Sequence, residues 1–188
     1  MKVENILILG STLLTQLCVE KIQRYYNIVG YVPTSKPTKK GEINLPKVSI
    51  DAECDIKLSI QYDKIVKNID NSFNLHTGLL PKYGGTNVLD YAIKNKEREQ
   101  GLTFHKMTEA LDYGPIISKI SYPILPNDKS IDLFKRILTV GPDFALSSLK
   151  LLESIPQKNI DLCEKQRPKI YKRGEFLISN EISEYNHA

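Results

Sequence analysis

The sequence predicts an α/β fold built on a doubly wound, mostly parallel sheet, and three observations support this class. An apolar run at Asn5–Leu9 ends at Gly10 and is typical of a buried parallel strand. A helical pattern follows, and a second apolar run at Ile28–Val32 completes a strand–helix–strand unit, for which a right-handed crossover is expected. With 188 residues, the chain is long enough for one domain with a full core.

The front half of the chain continues this pattern. Ser11 or Thr12 could cap a helix that extends to about Tyr25 with apolar side chains on its buried side. After a polar, basic connection at 33–46, a third strand is predicted at Asp55–Ile60.

Two front-half stretches allow more than one interpretation. Residues 10–12 could bind a phosphate or form a tight turn with a helix cap. The second interpretation is favoured, because the stretch lacks the Gly-x-Gly-x-x-Gly pattern and the lysine of phosphate loops. The connection at 33–46 is typical of a solvated loop. The alternative is that one of its lysines borders a substrate diphosphate, and the candidates are Lys36, Lys39 and Lys40.

The back half supplies the remaining elements. In order, they are a turn or short helix at 62–68, a strand through 73–75, a helix at 87–95, a charged turn at 94–100, and strands at 102–107 and 116–124. A long amphipathic segment begins at Ser130, and Gly141-Pro142 interrupts it, so a kink or two abutting helices are expected. Residues 169–178 either form a hairpin that turns near Gly174 or fray.

One short stretch combines polar chemistry with the end of a predicted strand. Asn74 and His76 alternate with apolar Phe73 and Leu75, so both polar side chains project from the opposite face of the strand. The strand then runs into a turn-rich loop that contains Pro81. In open α/β sheets, ligands bind at the carboxyl ends of strands. Alone, Asn-x-His is a weak signal whose meaning depends on the following residues.

Several motifs that follow stand at matching spacing. They are Asn-x-His at 74–76, Leu-Leu-Pro at 79–81, Gly-x-Thr at 101–103 and Glu-x-x-Asp-x-Gly at 109–114, followed by an apolar strand. In this order they resemble the folate-dependent formyltransferase family, which includes glycinamide ribonucleotide, methionyl-tRNA and sugar N-formyltransferases. The resemblance is close over residues 72–122, and the sugar enzymes are the nearest in kind.

The resemblance implies the fold and the ligands of the protein. It implies a Rossmann-like, mixed sheet in a single formyltransferase domain over residues 1–155, with a C-terminal extension over 156–188. It also implies N10-formyltetrahydrofolate as the formyl donor and no metal. The implied folate contacts are Leu79, Leu80, Pro81, Tyr83, Gly85, Glu109, Leu111 and Gly114. The implied substrate contacts are Thr77, Gly78, Lys82, His105 and Tyr113, where His105 is given a structural or substrate-side role rather than a catalytic one.

Formyl transfer to an amine needs three kinds of group, and the resemblance assigns one residue to each. Attack by the amine creates a tetrahedral oxyanion, for which the Asn74 amide is a neutral donor. His76 can take a proton and return it, because its unperturbed pKa lies closest to neutrality. Asp112 could hold the imidazole and favour its charged form.

The acceptor amine is assigned by elimination. A methionyl-tRNA enzyme would carry a further β-rich domain, and the glycinamide ribonucleotide enzymes have a richer glycine-asparagine loop at the first turn. An amino sugar linked to a nucleotide is therefore the expected acceptor. A glycinamide ribonucleotide-type enzyme and a non-catalytic folate- or nucleotide-binding relative stay open as alternatives.

Composition limits the setting of the protein. Its three cysteines are widely spaced and form no Cys-x-x-Cys pair, which disfavours disulfides and zinc and favours the cytoplasm. The formal charge of +4 is modest, and no concentrated basic stripe indicates nucleic-acid binding. No apolar run approaches the length of a membrane span. The expected partners are small molecules, and a homodimer stays open.

Overall fold

The computed structural model of the protein describes residues 2–35, 43–161 and 168–172. Its strands are β1 (Asn5–Leu9), β2 (Asn27–Val32), β3 (Ile56–Ile60), β4 (Ser72–His76), β5 (Gly84–Gly85), β6 (Glu99–Lys106), β7 (Ile116–Pro123) and β8 (Ile170–Tyr171). Its helices are α1 (Leu13–Ile22), α2 (Val88–Lys94), α3 (Ser130–Ser154) and α4 (Gln157–Ile160).

Six strands form one sheet in the order β2-β1-β3-β4-β6-β7. The pairs among β1, β2, β3 and β4 are parallel, whereas β6 is antiparallel to both of its neighbours. The predicted α/β fold with a mostly parallel, mixed sheet is therefore confirmed. The short strands β5 and β8 pair with each other in a separate two-stranded sheet.

The two faces of the sheet have different neighbours. Phe73 and Leu75 of β4 belong to the main core, together with buried side chains of α1 and α3. Phe73 stacks on Phe104 of β6, with 5.6 Å between the ring centroids. Because successive side chains of a strand point to opposite faces, Asn74 and His76 lie on the face away from α1 and α3. The apolar alternation of β4 thus decides where its polar side chains go.

Helix α1 starts where the sequence predicts a cap. The side chain of Thr12 accepts a hydrogen bond from the Thr15 amide and forms a capping box with it. Gly10 precedes it with a φ of +140°, and a Cβ at this position would come within 2.2 Å of the Ile60 carbonyl oxygen. Glycine is therefore required for the close passage of this turn over β3.

Helix α3 differs from its prediction, because it is one continuous helix of 25 residues that contains Pro142. Of the two expected alternatives, a kink or two abutting helices, the second was wrong. Proline removes one intrahelical hydrogen bond, but buried side chains before and after it keep α3 packed along its length. Gly141 lies against α1, since a Cβ there would come within 2.9 Å of Leu14 Cδ1.

Other boundaries also shift. Strand β6 begins at Glu99, inside the stretch predicted as a charged turn. Residues 62–68 follow an irregular path and contain no helix. Gln100 is fully buried in β6, so tertiary contacts determine its conformation rather than local polarity. The lysines predicted near a diphosphate and the hairpin predicted near Gly174 lie outside the described residues.

Candidate functional site

The pairing of β4 with β6 brings the polar side chains of two strands together. In this antiparallel register, Asn74 lies opposite His105 and His76 lies opposite Thr103. Directly opposed residues place their side chains on the same face, close enough to interact. The amide nitrogen Nδ2 of Asn74 lies 3.2 Å from Nε2 of His105. The site therefore begins as a cross-strand cluster that the register creates.

Asp112 reaches this cluster from the loop between β6 and β7. Its backbone is left-handed, with a φ of +54°, a conformation that aspartate tolerates better than most residues. Its carboxylate lies 3.6 Å from Nδ1 of His76 and 3.5 Å from both Asn74 Nδ2 and His105 Nε2. The backbone amide of Gly85 donates a 2.7 Å hydrogen bond to the same carboxylate. The three residues predicted to be catalytic thus share one contact network.

The surroundings of Asp112 keep its carboxyl group ionised. Burial alone would raise its pKa, but the charge of a protonated His76 and the hydrogen bond from the Gly85 amide act against burial, and the pKa is lowered to about 2. Because the folded-state pKa lies below the ordinary value of 3.8, the carboxylate stabilises the fold above that value. This contribution is lost as the pH falls through about 2.

His76 has one fixed nitrogen and one available nitrogen. Its Nε2 lies 2.7 Å from the carbonyl oxygen of Tyr83, which can only accept, so Nε2 carries a hydrogen. Burial lowers the pKa of His76 below its ordinary 6.5, while the charge of Asp112 opposes this effect. A neutral His76 with hydrogen on Nε2 keeps a lone pair on Nδ1, which is the atom that can receive a proton.

The loop after β4 is held in place by two buried residues of β6. The side-chain oxygen of Gln100 accepts from the Leu79 amide at 2.9 Å. The hydroxyl of Thr103 accepts from the Leu80 amide at 3.0 Å and donates to the Gly78 carbonyl at 2.7 Å. These bonds fix the path of the loop toward Tyr83 and Gly85, which hold His76 and Asp112.

A C-terminal segment, residues 168–172, covers the same loop, and we name it the strap. It donates from the Lys169 amide to the Pro81 carbonyl and accepts from the amides of Gly84 and Thr86, each at 2.9 Å. The ring of Tyr171 stacks on that of Tyr83 with 5.2 Å between centroids. The strap therefore supports the two backbone groups that contact the catalytic candidates.

Tyr171→Ala is expected to loosen the loop without unfolding the protein. Removing the ring deletes its stacking on Tyr83 and Tyr91, so local opening should become easier. Hydrogen exchange should then accelerate by about 10–100-fold at the amides of Gly84 and Gly85. The matched control is Ile170→Ala, which removes a partly exposed side chain of the same strand. Equal hydrogen-exchange rates at the Gly84 and Gly85 amides in the two variants would contradict this function of the strap.

Some residues predicted to touch ligands are occupied elsewhere. The ring of Tyr83 is 2 % exposed, and its hydroxyl donates to Glu97, so it cannot offer a stacking face to a pterin. His105 is equally buried and contacts Asn74 and Asp112 instead of an open surface. Leu80 is buried. These three side chains are therefore buried against protein groups, and the ligand contacts predicted for them stay predictions, although the Tyr83 carbonyl belongs to the network.

The other predicted ligand residues stay at or near the loops. Leu111 and Tyr113 are 60 % and 39 % exposed, and Glu109 is exposed beside them. Lys82 is exposed and pairs with Glu97 at 2.6 Å. The remainder, which are buried or partly buried in the loops, are Thr77, Gly78, Leu79, Pro81, Gly85 and Gly114.

An open pocket of about 700 Å³ lies beside the Asp112 loop. Two of its lining residues, Glu109 and Tyr113, are ligand contacts that the sequence predicts. The complete lining is Ile69, Asp70, Asn71, Lys106, Met107, Thr108, Glu109, Ala110, Tyr113, Pro115 and Asp161. A volume of this size is typical of small-molecule sites, which span about 300–1,000 Å³.

Sequence reasoning missed several positioning groups. The sequence predicts a charged turn at Gln100, and a hairpin or frayed tail at Tyr171 without any predicted contact. The Gly-x-Thr motif does contain Thr103, but spacing alone gives no partner for its hydroxyl. The tyrosines Tyr83, Tyr91 and Tyr171 are aromatic signals whose mutual packing needs the fold.

The described part of the chain shows neither a metal-binding cluster nor a helix that could cross a membrane. Among residues 2–35, 43–161 and 168–172, no cluster of three histidine, cysteine, aspartate or glutamate side chains could bind a metal ion. In the same ranges, none of the helices has both the length and the apolar character that a bilayer crossing requires.

Comparison with known proteins identifies the class of this site. The family model described as Formyl transferase matches residues 60–149, which include Asn74, His76 and Asp112. Over these residues, the chain is similar to the formyl transferase family. Members of this family are enzymes that transfer formyl groups. Methionyl-tRNA formyltransferase of Dictyoglomus thermophilum is 25 % identical to this chain over 213 residues. The alignment covers 94 % of this chain and 68 % of the relative.

Solved formyltransferase structures share the fold. The sugar 3N-formyltransferase WlaRD, crystallised with dTDP and 5-N-formyl-THF, superposes with a TM-score of 0.74 and 24 % identity over 94 % of this chain and 72 % of its own. The N-formyltransferase of Helicobacter canadensis, in complex with folinic acid and dTDP-3-aminofucose, superposes with a TM-score of 0.75 and 20 % identity. The match covers 92 % of this chain and 72 % of that enzyme. The phosphoribosylglycinamide formyltransferase of Bacillus halodurans superposes with a TM-score of 0.67 and 18 % identity, and the match covers 84 % of this chain and 99 % of that enzyme.

The extent of the match differs among the curated formyltransferases. Methionyl-tRNA formyltransferase of Streptococcus pyogenes serotype M6 is 36 % identical over 98 residues, which cover 50 % of this chain and 32 % of the relative. This chain is therefore matched to only about a third of the length of the streptococcal enzyme.

Proposed function

We propose that this protein is an N-formyltransferase that moves the formyl group of N10-formyltetrahydrofolate to the primary amine of a nucleotide-linked amino sugar. The observation that carries this proposal is that the partly buried Asn74 meets the buried His76 and Asp112 in one network. Each supplies a group that formyl transfer needs: a neutral hydrogen-bond donor, a proton acceptor near neutrality and an anion.

Each residue has one task in this mechanism. The side-chain N–H of Asn74 that does not face His105 stabilises the negative charge that develops on the formyl oxygen as an amine attacks. His76 receives the proton of the amine at Nδ1, since its Nε2 is held by Tyr83. Asp112 then stabilises the imidazolium, which lies within ion-pair distance. The proton can return from Nδ1 to the folate nitrogen that leaves.

The pocket beside the Asp112 loop supports a site for the formyl donor. Its lining combines apolar Ile69 and Met107 with the hydrogen-bond acceptors of Asp70 and Asn71. Such a lining suits a pterin, whose flat ring system carries N–H groups along one edge. The predicted donor contacts that line this pocket are Glu109 and Tyr113, whereas Asn74, His76 and Asp112 lie outside its lining.

The first turn of the chain supports a sugar acceptor over a ribose phosphate. The hydroxyl of Ser11 hydrogen-bonds with Thr34 at 2.7 Å. The hydroxyl of Thr12 caps α1 and donates to Gln61 at 2.7 Å. Because both groups are occupied within the protein, they do not form a ready phosphate site of the kind that a glycinamide ribonucleotide enzyme needs. The sugar N-formyltransferases with dTDP ligands are the consistent analogues.

A panel of amines tests the proposal. The protein is incubated with N10-formyltetrahydrofolate and, separately, dTDP- and UDP-linked amino sugars, glycinamide ribonucleotide and methionyl-tRNA. Tetrahydrofolate release is followed by absorbance, and the formylated product by mass spectrometry. Turnover with nucleotide amino sugars alone is expected. Turnover with glycinamide ribonucleotide or methionyl-tRNA would reject the sugar acceptor, and binding of 5-formyltetrahydrofolate without any turnover would identify a non-catalytic relative.

The midpoint of the acidic limb of the pH–rate profile should lie below pH 6.5. His76 must be neutral to accept a proton, and burial lowers its pKa from the ordinary 6.5, so kcat/KM should rise with pH through that lowered pKa. In Asp112→Asn the limb should move to still lower pH, because the carboxylate that opposes the effect of burial is gone. A limb that moves to higher pH in Asp112→Asn would contradict this assignment.

A further inference from the structure

A second histidine lies inside the network, and its surroundings define its hydrogen positions. Nδ1 of His105 lies 2.9 Å from the carbonyl oxygen of Lys106. A carbonyl can only accept, so in the neutral ring Nδ1 carries the hydrogen. Nε2 is then an acceptor, which lies 3.2 Å from Asn74 Nδ2 and 3.5 Å from the Asp112 carboxylate. His105 is 2 % exposed, which leaves little room for solvent to change this arrangement.

The acceptor nitrogen of His105 decides which way the Asn74 amide points. Nε2 lies 3.2 Å from Nδ2 of Asn74, so one N–H of the amide donates to the ring. The reversed amide would place its oxygen against Nε2 and also against the Asp112 carboxylate, and three acceptors would then face one another. The neutral tautomer of His105 therefore selects the amide orientation in which NH₂ lies inside the network.

The two hydrogens of this NH₂ group have different contacts. The hydrogen toward His105 is engaged at 3.2 Å, whereas the contact of Nδ2 with Asp112 is longer, at 3.5 Å. A bond at the longer distance is weaker. The N–H on the Asp112 side is thus the more weakly engaged one, and it can donate to a nearby reacting oxygen without rotation of the amide.

We propose that His105 is a positioning residue that anchors one hydrogen of the Asn74 amide, so that the other is aimed at the formyl oxygen. This inference rests on the proposed function, but the hydrogen bond that it assigns is independent of turnover. His105 does not touch the reacting atoms and acts only through Asn74. The geometry explains why a histidine is useful here, since its ring can donate to Lys106 and accept from Asn74 at once.

Two substitutions separate positioning from packing. His105→Gln places an amide oxygen near the former Nε2 and can still accept from Asn74. His105→Asn is too short to reach Asn74 but can still donate toward the Lys106 carbonyl. We expect His105→Asn to lower kcat by about 10–100-fold with KM nearly unchanged, since only stabilisation of the developing charge is impaired. His105→Gln should recover most of that loss, and equal kcat values for the two variants would overturn the proposal.

A double-mutant comparison tests whether His105 acts through Asn74. In an Asn74→Ala background, His105→Asn should cause no further fall in kcat, because the amide that it positions is already absent. A fall as large as in the wild-type background would mean that His105 has an independent role, and the proposal would be wrong. Thermal unfolding of each variant identifies losses that come from unfolding instead.

Nuclear magnetic resonance gives a readout that does not depend on activity. In the resting protein, the ¹⁵N shifts of His105 should report the tautomer with hydrogen on Nδ1. The Nε2-protonated tautomer would overturn the proposal whether or not the protein transfers formyl groups. Absence of turnover with the Nδ1 tautomer intact would instead reject the proposed function and leave the hydrogen bond to Asn74 established.

Discussion

Asp112→Asn is expected to lower kcat by about 10²–10⁴-fold while leaving the fold intact. The new amide can still accept from the Gly85 backbone at the same position, so the loop should keep its path. The substitution removes the negative charge that faces His76 at 3.6 Å. The imidazolium that forms when His76 takes a proton would then be buried without a counter-ion, which is costly.

The measurement for Asp112 is steady-state kinetics with the best amine of the panel. The matched control is Asp143→Asn, which makes the same chemical change at an exposed carboxylate paired with Lys21. The control should retain the kcat of the wild type. A similar kcat for the two variants would show that the buried carboxylate has no part in proton transfer.

Asn74→Ala is expected to lower kcat by about 10²–10³-fold, the usual cost of losing one donor to a developing oxyanion. The substitution also removes the partner of His105 Nε2 and one neighbour of the Asp112 carboxylate. The apolar face of β4 should be unaffected, since Phe73 and Leu75 pack on the opposite side of the sheet.

For this variant, kcat and KM must be measured separately. A loss confined to kcat is the signature of an interaction made only in the transition state. The control is Asn27→Ala, whose side chain donates to Asn5 in an exposed position. If Asn74→Ala raised KM and left kcat unchanged, the amide would bind the ground state, and its assigned task would be wrong.

The alternation of β4 could be predicted from the sequence because it depends only on the period of a strand. Apolar Phe73 and Leu75 indicate one buried face, and Asn74 and His76 must then share the other. The same reasoning locates the first strand–helix–strand unit. These features are local, so composition and spacing are sufficient to identify them.

The contacts of His105 could not be predicted in this way. Its position opposite Asn74 depends on the register between β4 and β6, which tertiary packing selects. The closeness of Asp112 came only from the family resemblance, because a loop with a left-handed aspartate has no periodic signal. The contact of Tyr171 with Tyr83 could not be predicted either, because more than eighty residues separate the two rings along the chain.

The central claim is that formyl transfer occurs at the network of Asn74, His76 and Asp112. Its most direct test compares His76→Ala with the wild type in single turnovers that use N10-[¹³C]formyltetrahydrofolate and the best amine. The labelled carbon should appear on the amine about 10²–10⁴-fold more slowly, while the Kd for unreactive 5-formyltetrahydrofolate changes by less than about threefold. An unchanged transfer rate, or a loss explained fully by weaker folate binding, would contradict the claim.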